Sequence, residues 1–321
     1  MSILRGMAMN LSELSDPGVV KLRRDLLAQG YDDRAIRRML RDGYWHRIRH
    51  GAYIEASVWG ELDERGRYAS LCRAAYRQSK VPVVLSHAGA TNEWDAPLWD
   101  LCLDVVDLTR PDEKSGRQAA GVRQHRGRLL PRDTVERHGL AVMSPTRAVL
   151  ELSTMVDVEH TLVVMDDFLH RKLTDKPLLE ARNKLMLHWP DTLHTDLAIR
   201  LADGRSESPG ETRTRNLCRS QRLPAPVPQY KIRGRAGNVV ARVDLAWPEL
   251  GVFLEFDGKE KYLRFRKKGE SVADAVLREK RREEMICEIT GWRCIRIVWA
   301  DLYRPAATAA RIRAMFRASA A

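Results

Sequence analysis

Between Arg242 and Asp257 two short runs alternate along the chain. Val243, Leu245 and Trp247 alternate with Arg242, Asp244 and Ala246, and Val252, Leu254 and Phe256 alternate with Phe253, Glu255 and Asp257. Side chains two apart on a strand share a face, so the pattern predicts two strands joined by a tight Pro-Gly turn. Asp244 then lies on one face of its strand, and Glu255 and Asp257 lie together on one face of the next. If the strands pair, three carboxylates converge at one end of a small sheet, followed in sequence by Lys259 and Lys261.

Near the N-terminus the period is helical. Val19, Leu22, Leu26 and Leu27 keep helical spacing as far as Gly30, and Asp32 or Asp33 can cap a second helix. That helix turns Ile36, Met39 and Leu40 inward and leaves Arg34, Arg37, Arg38 and Arg41 exposed. Gly43 ends it, and WHRIRHGAYI then alternates as a strand pair with a turn near Gly51, carrying Arg47 and Arg49. Helix, basic helix and basic hairpin form the outline of a winged helix-turn-helix, with DNA as partner. Residues 56–203 predict a mixed α/β domain: a helix around 61–79, strands at LCLDVVDLT and GVRQHR, and helices at Thr146–Met155 and His160–Leu173. Here His87 reads as an ordinary hydrogen-bonded histidine, His125 as a phosphate or partner contact, and Asp166-Asp167 as the polar face of a helix. His188 and His194 have no carboxylate or cysteine partner at ligand spacing, so no zinc site is expected.

A Gly/Ser/charge-rich stretch, LADGRSESPG, separates this region from a third domain over 204–321. Ser208, Pro209 and Glu211 open a helix as a capping box, with Ser at the N-cap, Pro at the first helical position and Glu three residues on. The same Glu211 can serve as a carboxylate aimed at a metal site. After the paired strands comes a helix, VLREKRREEMICEI, with Arg278 and Arg282 one turn apart, and a strand holding Arg296 between Ile295 and Ile297. The whole is an α/β (α+β) chain of three domains: 1–55, 56–203 and 204–321.

Charge sharpens this picture. Of the net +12 carried by 321 residues, +11 falls from Arg205 onward, where 25 Lys/Arg stand against 14 Asp/Glu. Such asymmetry implies a polyanionic partner for the last third. The segment Lys259–Lys268 carries six basic residues with Tyr262 and Phe265 among them, a pattern suited to a nucleic-acid backbone and an unstacked base. Five cysteines without a CxxC pair imply reduced thiols in a cytoplasmic protein, and neither a secretory signal nor a membrane-spanning run is evident.

Two resemblances extend the reading. GYDDRAIRRMLRDGYWHRIRHGAYI, with Gly43, Trp45, Arg47, Gly51 and Tyr53, resembles the winged-helix domain of AbiEi-family antitoxins. The likeness continues through LSHAGATNEWDAPLW and GLAVMSPTRAVLEL, and it implies a transcriptional autoregulator paired with a cognate toxin. The ordered motifs S-x-x-E, R-x-D-x-x-W, E-F-D-G, RE-x-RR and G-W-x-x-x-R-x-x-W resemble PD-(D/E)xK nucleases related to the very-short-patch-repair endonucleases. That resemblance implies Asp244 and Glu255 as ligands of Mg2+ or Mn2+, Glu211 near the metal water, and Asp257 with Gly258 as the floor. It further implies Arg278 and Arg282 on the scissile phosphate, with Arg242 and Arg296 as further DNA contacts. The chain departs from the pattern where Asp257 replaces the usual Lys, so Lys259 and Lys261 both stand as candidates to steady the attacking water. The expectation is a metal-dependent DNA endonuclease or nickase serving defence against phage, element maintenance or repair. The alternative is an AbiEi-type antitoxin and autorepressor with a degenerate nuclease-like domain.

Overall fold

The computed structural model describes residues 19–114, 116, 118–186, 189, 192–234, 236–258 and 272–319. Lys259, Lys261, the rest of the basic aromatic segment and His188 lie outside the described residues. The described chain has a mixed helix-and-sheet architecture that divides into two compact units. Unit 1 runs to Val164 and adds Leu173–Arg200; unit 2 takes Met165–Lys172 and the chain from Leu201. None of the described helices is long and apolar enough to cross a membrane.

Unit 1 opens with β1 (Lys21–Leu22), α1 (Arg23–Ala28), α2 (Asp33–Arg41), β2 (Trp45–Arg49) and β3 (Ala52–Glu55), whose strands form a sheet in the order β1-β3-β2. The long first helix expected from Val19 to Leu27 is shorter, because Lys21 and Leu22 pair with Tyr53 and Ala52 as a strand. Leu22 is buried by that pairing, while Leu27 is exposed. Asp32 is the cap of α2, its carboxylate accepting from the Ala35 N–H at 2.6 Å. Asp33 is instead held by the Arg23 fork at 2.8 and 2.7 Å. Leu26, Ile36, Trp45 and Tyr53 close the small core, with Met39 and Leu40 packed against it.

The rest of unit 1 comprises α3 (Ala56–Glu61), α4 (Glu64–Gln78), β4 (Val84–Leu85), α5 (His87–Glu93), β5 (Val106–Arg110), β6 (Gln118–Ala119), β7 (Val122–Arg126), β8 (Thr134–Arg137), β9 (Leu140–Met143), α6 (Pro145–Ser153), the start of α7 (Val158–His170), α8 (Lys176–Asn183) and α9 (Leu193–Leu201). Its sheet is mixed, in the order β6-β7-β5-β4-β9-β8, with β5/β7 and β4/β9 parallel. Leu85, Val106, Leu108, Val142 and Met143 from the central strands form the core with Tyr68 and Cys72 of α4.

Unit 2 is built on α10 (Pro209–Ser220), β10 (Val227–Arg233), β11 (Val239–Trp247), β12 (Val252–Asp257), α11 (Val272–Thr290), β13 (Arg293–Val298), α12 (Trp299–Leu302) and α13 (Pro305–Ser319). The strands lie in sequence order, antiparallel as far as β12 and parallel between β12 and β13. A parallel pair needs a long crossover, and α11 lies in that connection. Leu245, Trp247, Leu254 and Phe256 form one core with Leu217 and Ile312. On the other face Val243, Ala246 and Phe253 pack with Ile286 of α11. The five cysteines are free thiols, and burial pushes that of Cys218 up to about 12.

Asp166, expected on a polar helix face, is 1% exposed. Its carboxylate accepts from Thr212 Oγ1 at 2.8 Å, Arg215 Nη2 at 2.6 Å and the Asp203 N–H at 2.7 Å. It ties the C-terminal half of α7 to α10, the helix that begins the candidate site.

Candidate functional site

The site starts at the cap of α10. Ser208 Oγ accepts from the Glu211 N–H at 3.3 Å and donates to Glu211 Oε1 at 2.8 Å. Glu211 Oε2 accepts from the Glu207 N–H at 3.0 Å and from Gln229 Nε2 at 2.7 Å. The capping role and the inward carboxylate are thus one geometry. Burial, and after it the nearby Asp244 charge, raise the Glu211 carboxyl above its ordinary pKa.

That shift has a definite sign. A raised native pKa means the folded chain binds this proton more tightly than the unfolded chain. Its stability contribution is fully present below the unfolded carboxylate value and is lost as pH rises through the native one. In EDTA, Glu211→Gln should therefore gain stability relative to wild type as pH climbs from about 4 to about 7. Urea unfolding at both ends of that range measures it, and a difference independent of pH would show that burial and the Asp244 charge do not raise the Glu211 carboxyl.

Gly210 sets how closely α10 approaches the sheet. A Cβ there would stand 2.1, 2.3 and 2.4 Å from three ring atoms of Phe256, itself packed edge-on against Trp299 at 5.2 Å. Gly210→Ala is expected to cost about 1–3 kcal/mol by overpacking. Trimming the ring with Phe256→Leu should recover part of this in a double-mutant cycle. Additive losses would mean that the two residues do not touch.

Across the sheet, β11 and β12 pair as Leu245↔Leu254, Ala246↔Phe253 and Trp247↔Val252. One further step along this register sets Asp244 opposite Glu255, but there a side chain replaces the ladder. Asp244 Oδ2 accepts the Phe256 N–H at 2.9 Å. Glu255, 5% exposed, accepts from Arg282 Nη1 at 2.9 Å, and Arg282 Nη2 also donates to the Arg242 carbonyl. Asp257 accepts from Arg296 Nη1 at 2.7 Å, and Arg296 Nε donates to Glu283 at 2.7 Å. Burial pulls the Arg296 pKa down, but the bonds to Asp257 and Glu283 outweigh it and hold the guanidinium above its ordinary value. Arg242 pairs with Glu207 at 2.8 Å, and Arg278 with Glu279 at 3.2 Å.

The structure therefore brings Glu211, Asp244, Glu255 and Asp257 to one end of a single sheet, and it sets Arg282 and Arg296 on two of them. In unit 1, Arg34, Arg37, Arg38, Arg41 and Arg47 are exposed. Arg49 is half-buried, and its Nη2 donates to the Ala120 carbonyl at 3.0 Å.

A second polar cluster, inside unit 1, escaped sequence reasoning. Among the described residues, the group of three that brings potential ligand atoms within 4.8 Å of one another is His87, Asp107 and His125. His125 Nε2 lies 2.7 Å from Asp107 Oδ1, and its ring stacks on that of His87 at 3.9 Å. His87 Nδ1 lies 3.0 Å from Ser86 Oγ and 3.8 Å from Glu151 Oε2. Burial first, then His125, Arg123 and Arg147, push His87 well below the usual histidine range. The three come from α5, β5 and β7, 18 or more residues apart, so no short motif could have marked them.

Comparison with curated proteins finds two relatives in Mycobacterium tuberculosis: Uncharacterized protein MT2308 (strain CDC 1551 / Oshkosh) and Uncharacterized protein Rv2248 (strain ATCC 25618 / H37Rv). Each is 36% identical over 112 residues, which is 35% of this chain and 38% of the relative. The chain thus matches well under half the length of either. No protein-family model matches it.

Proposed function

We propose that unit 2 is a PD-(D/E)xK-type nuclease that hydrolyses DNA phosphodiester bonds with Mg2+ or Mn2+, and that the first two helices and hairpin are a winged helix-turn-helix that places it on duplex DNA. The observation that carries this reading is the meeting of Glu211 and Asp244. Gln229, which falls opposite Asp244 in the β10/β11 register, holds Glu211 at 2.7 Å, and the β11/β12 register sets Glu255 opposite Asp244 on its other side. Like charges held together at the end of a sheet invite a hard cation, whose ligands are carboxylate oxygens and water. The order of elements supports it too: helix, three antiparallel strands, a crossover helix and a parallel strand.

In this reading Asp244 and Glu255 hold the ion, and Glu211, fixed by Ser208 and Gln229, orients water beside it. When bound, the ion supplies charge compensation on the phosphate and a more acidic water. Asp257 and Gly258 form the floor, and Lys259 or Lys261 steadies the attacking water. Arg278, Arg282, Arg242 and Arg296 exchange their carboxylate partners for phosphate oxygens, which a guanidinium fork fits well.

A specific contact favours a second reading. Arg282 sits 2.9 Å from Glu255, so a cation already covers a carboxylate the metal would need. An AbiEi-type repressor with a degenerate nuclease domain, working with a cognate toxin, would keep that pair closed. Incubating supercoiled plasmid with the full chain and Mg2+ or Mn2+ separates the two. Metal-dependent nicking or linearisation supports the enzyme. Intact plasmid together with metal-independent binding to the chain's own promoter supports the repressor.

A further inference from the structure

We propose that His87, Asp107 and His125 form a zinc-class divalent metal site in unit 1, separate from the carboxylate site of unit 2. The donor set is two imidazoles and one carboxylate, which suits zinc and its borderline neighbours, whereas magnesium takes oxygen ligands. His87 and Asp107 are each 4% exposed, and the His125 side chain, at 23%, leaves one open side.

The surroundings are those of a ligating histidine. A metal-bound imidazole ordinarily gives its other N–H to a carboxylate or hydroxyl, which fixes the ring. His87 Nδ1 faces Ser86 Oγ at 3.0 Å and Glu151 Oε2 at 3.8 Å, leaving Nε2 for an ion. Glu151 is itself held by Arg147 Nε at 2.8 Å through Oε1, while its Oε2 is buried with no hydrogen-bond partner. An orphaned buried carboxylate oxygen is costly unless something uses it. The His87 backbone sits in the left-handed region, at φ +51°, which a non-glycine residue rarely occupies without a reason.

Binding replaces a proton. His125 Nε2 and Asp107 Oδ1 stand 2.7 Å apart as a hydrogen-bonded pair. Two donors on one tetrahedral zinc, with bonds of about 2.0–2.1 Å, lie ~3.3 Å apart. The pair therefore opens by roughly 0.6 Å as the bridging proton leaves to solvent, and the stacked rings turn to aim at the ion. Arg123 Nε, 3.7 Å from Asp107 Oδ1, lowers the affinity, and the Asp107 and Glu151 charges offset it.

The test uses the EDTA-treated full chain, titrated with Co2+ as a coloured zinc probe in excess Mg2+. One equivalent should bind with visible ligand-field bands, and Zn2+ should displace it. His87→Gln and His125→Gln should each lose the bands while keeping the wild-type far-ultraviolet circular dichroism. Glu255→Gln, in unit 2, should retain them. Wild type without a stoichiometric band overturns the site whatever the variants do. Bands that survive both histidine substitutions, or that vanish with Glu255→Gln, overturn it equally.

Discussion

Asp244→Asn and Glu255→Gln are expected to remove Mg2+-dependent plasmid nicking almost completely. Metal stabilisation of the charge developing on a phosphate is worth several kcal/mol. Losing about 4 kcal/mol slows the reaction roughly 10³-fold, at about 1.4 kcal/mol per decade. The amide variants are the informative ones. Asn at 244 can still accept the Phe256 N–H, and Gln at 255 can still accept from Arg282, so the fold loses a charge and keeps its hydrogen bonds. Asp244→Ala and Glu255→Ala should be at least as inactive, with an added stability loss. Equal nicking by wild type and every variant would place the activity elsewhere, in a contaminant or another part of the chain.

Asp166→Ala should give a large stability loss in unit 2. The carboxylate is acceptor to a hydroxyl, a guanidinium and a backbone N–H at once. Arg215, its partner at 2.6 Å, has a side chain only 15% exposed. Removing one member of a buried pair leaves the other charge uncompensated, at about 3–5 kcal/mol. For a unit of this size that corresponds to a melting temperature lower by roughly 10–20 °C. Asp166→Asn, which keeps the acceptor oxygen, should lose less. Thermal and urea unfolding decide it. A loss under about 1 kcal/mol would mean that the remaining contacts of Arg215, to Ser206 Oγ and the Leu201 carbonyl, satisfy it.

Periodicity and capping are local properties, and they were readable from the chain alone. The alternation around Leu245 and Leu254 marked the two central strands of the four-stranded sheet, and the inward Ile36 marked the buried side of α2. Ser208 and Glu211 announced the start of α10, because a cap needs only residues three apart. The same local logic failed at Lys21–Leu22, where pairing with Tyr53 and Ala52 overrode helical spacing.

What the chain alone could not decide was which charges meet. Arg282 lies 27 residues from Glu255, Asp166 lies 49 from Arg215, and His87, Asp107 and His125 sit on three elements. No spacing rule links such residues, since their approach depends on helix packing and strand order. The sequence by itself determined where acids and arginines stand along the strands and helices. Only the tertiary structure decided that Gln229 holds Glu211 beside the strand of Asp244, that Arg282 covers Glu255, and that two histidines and an aspartate bring their ligand atoms together. The reason is physical: backbone pattern is written within a few residues, whereas a buried charge takes its meaning from neighbours that the fold alone brings close.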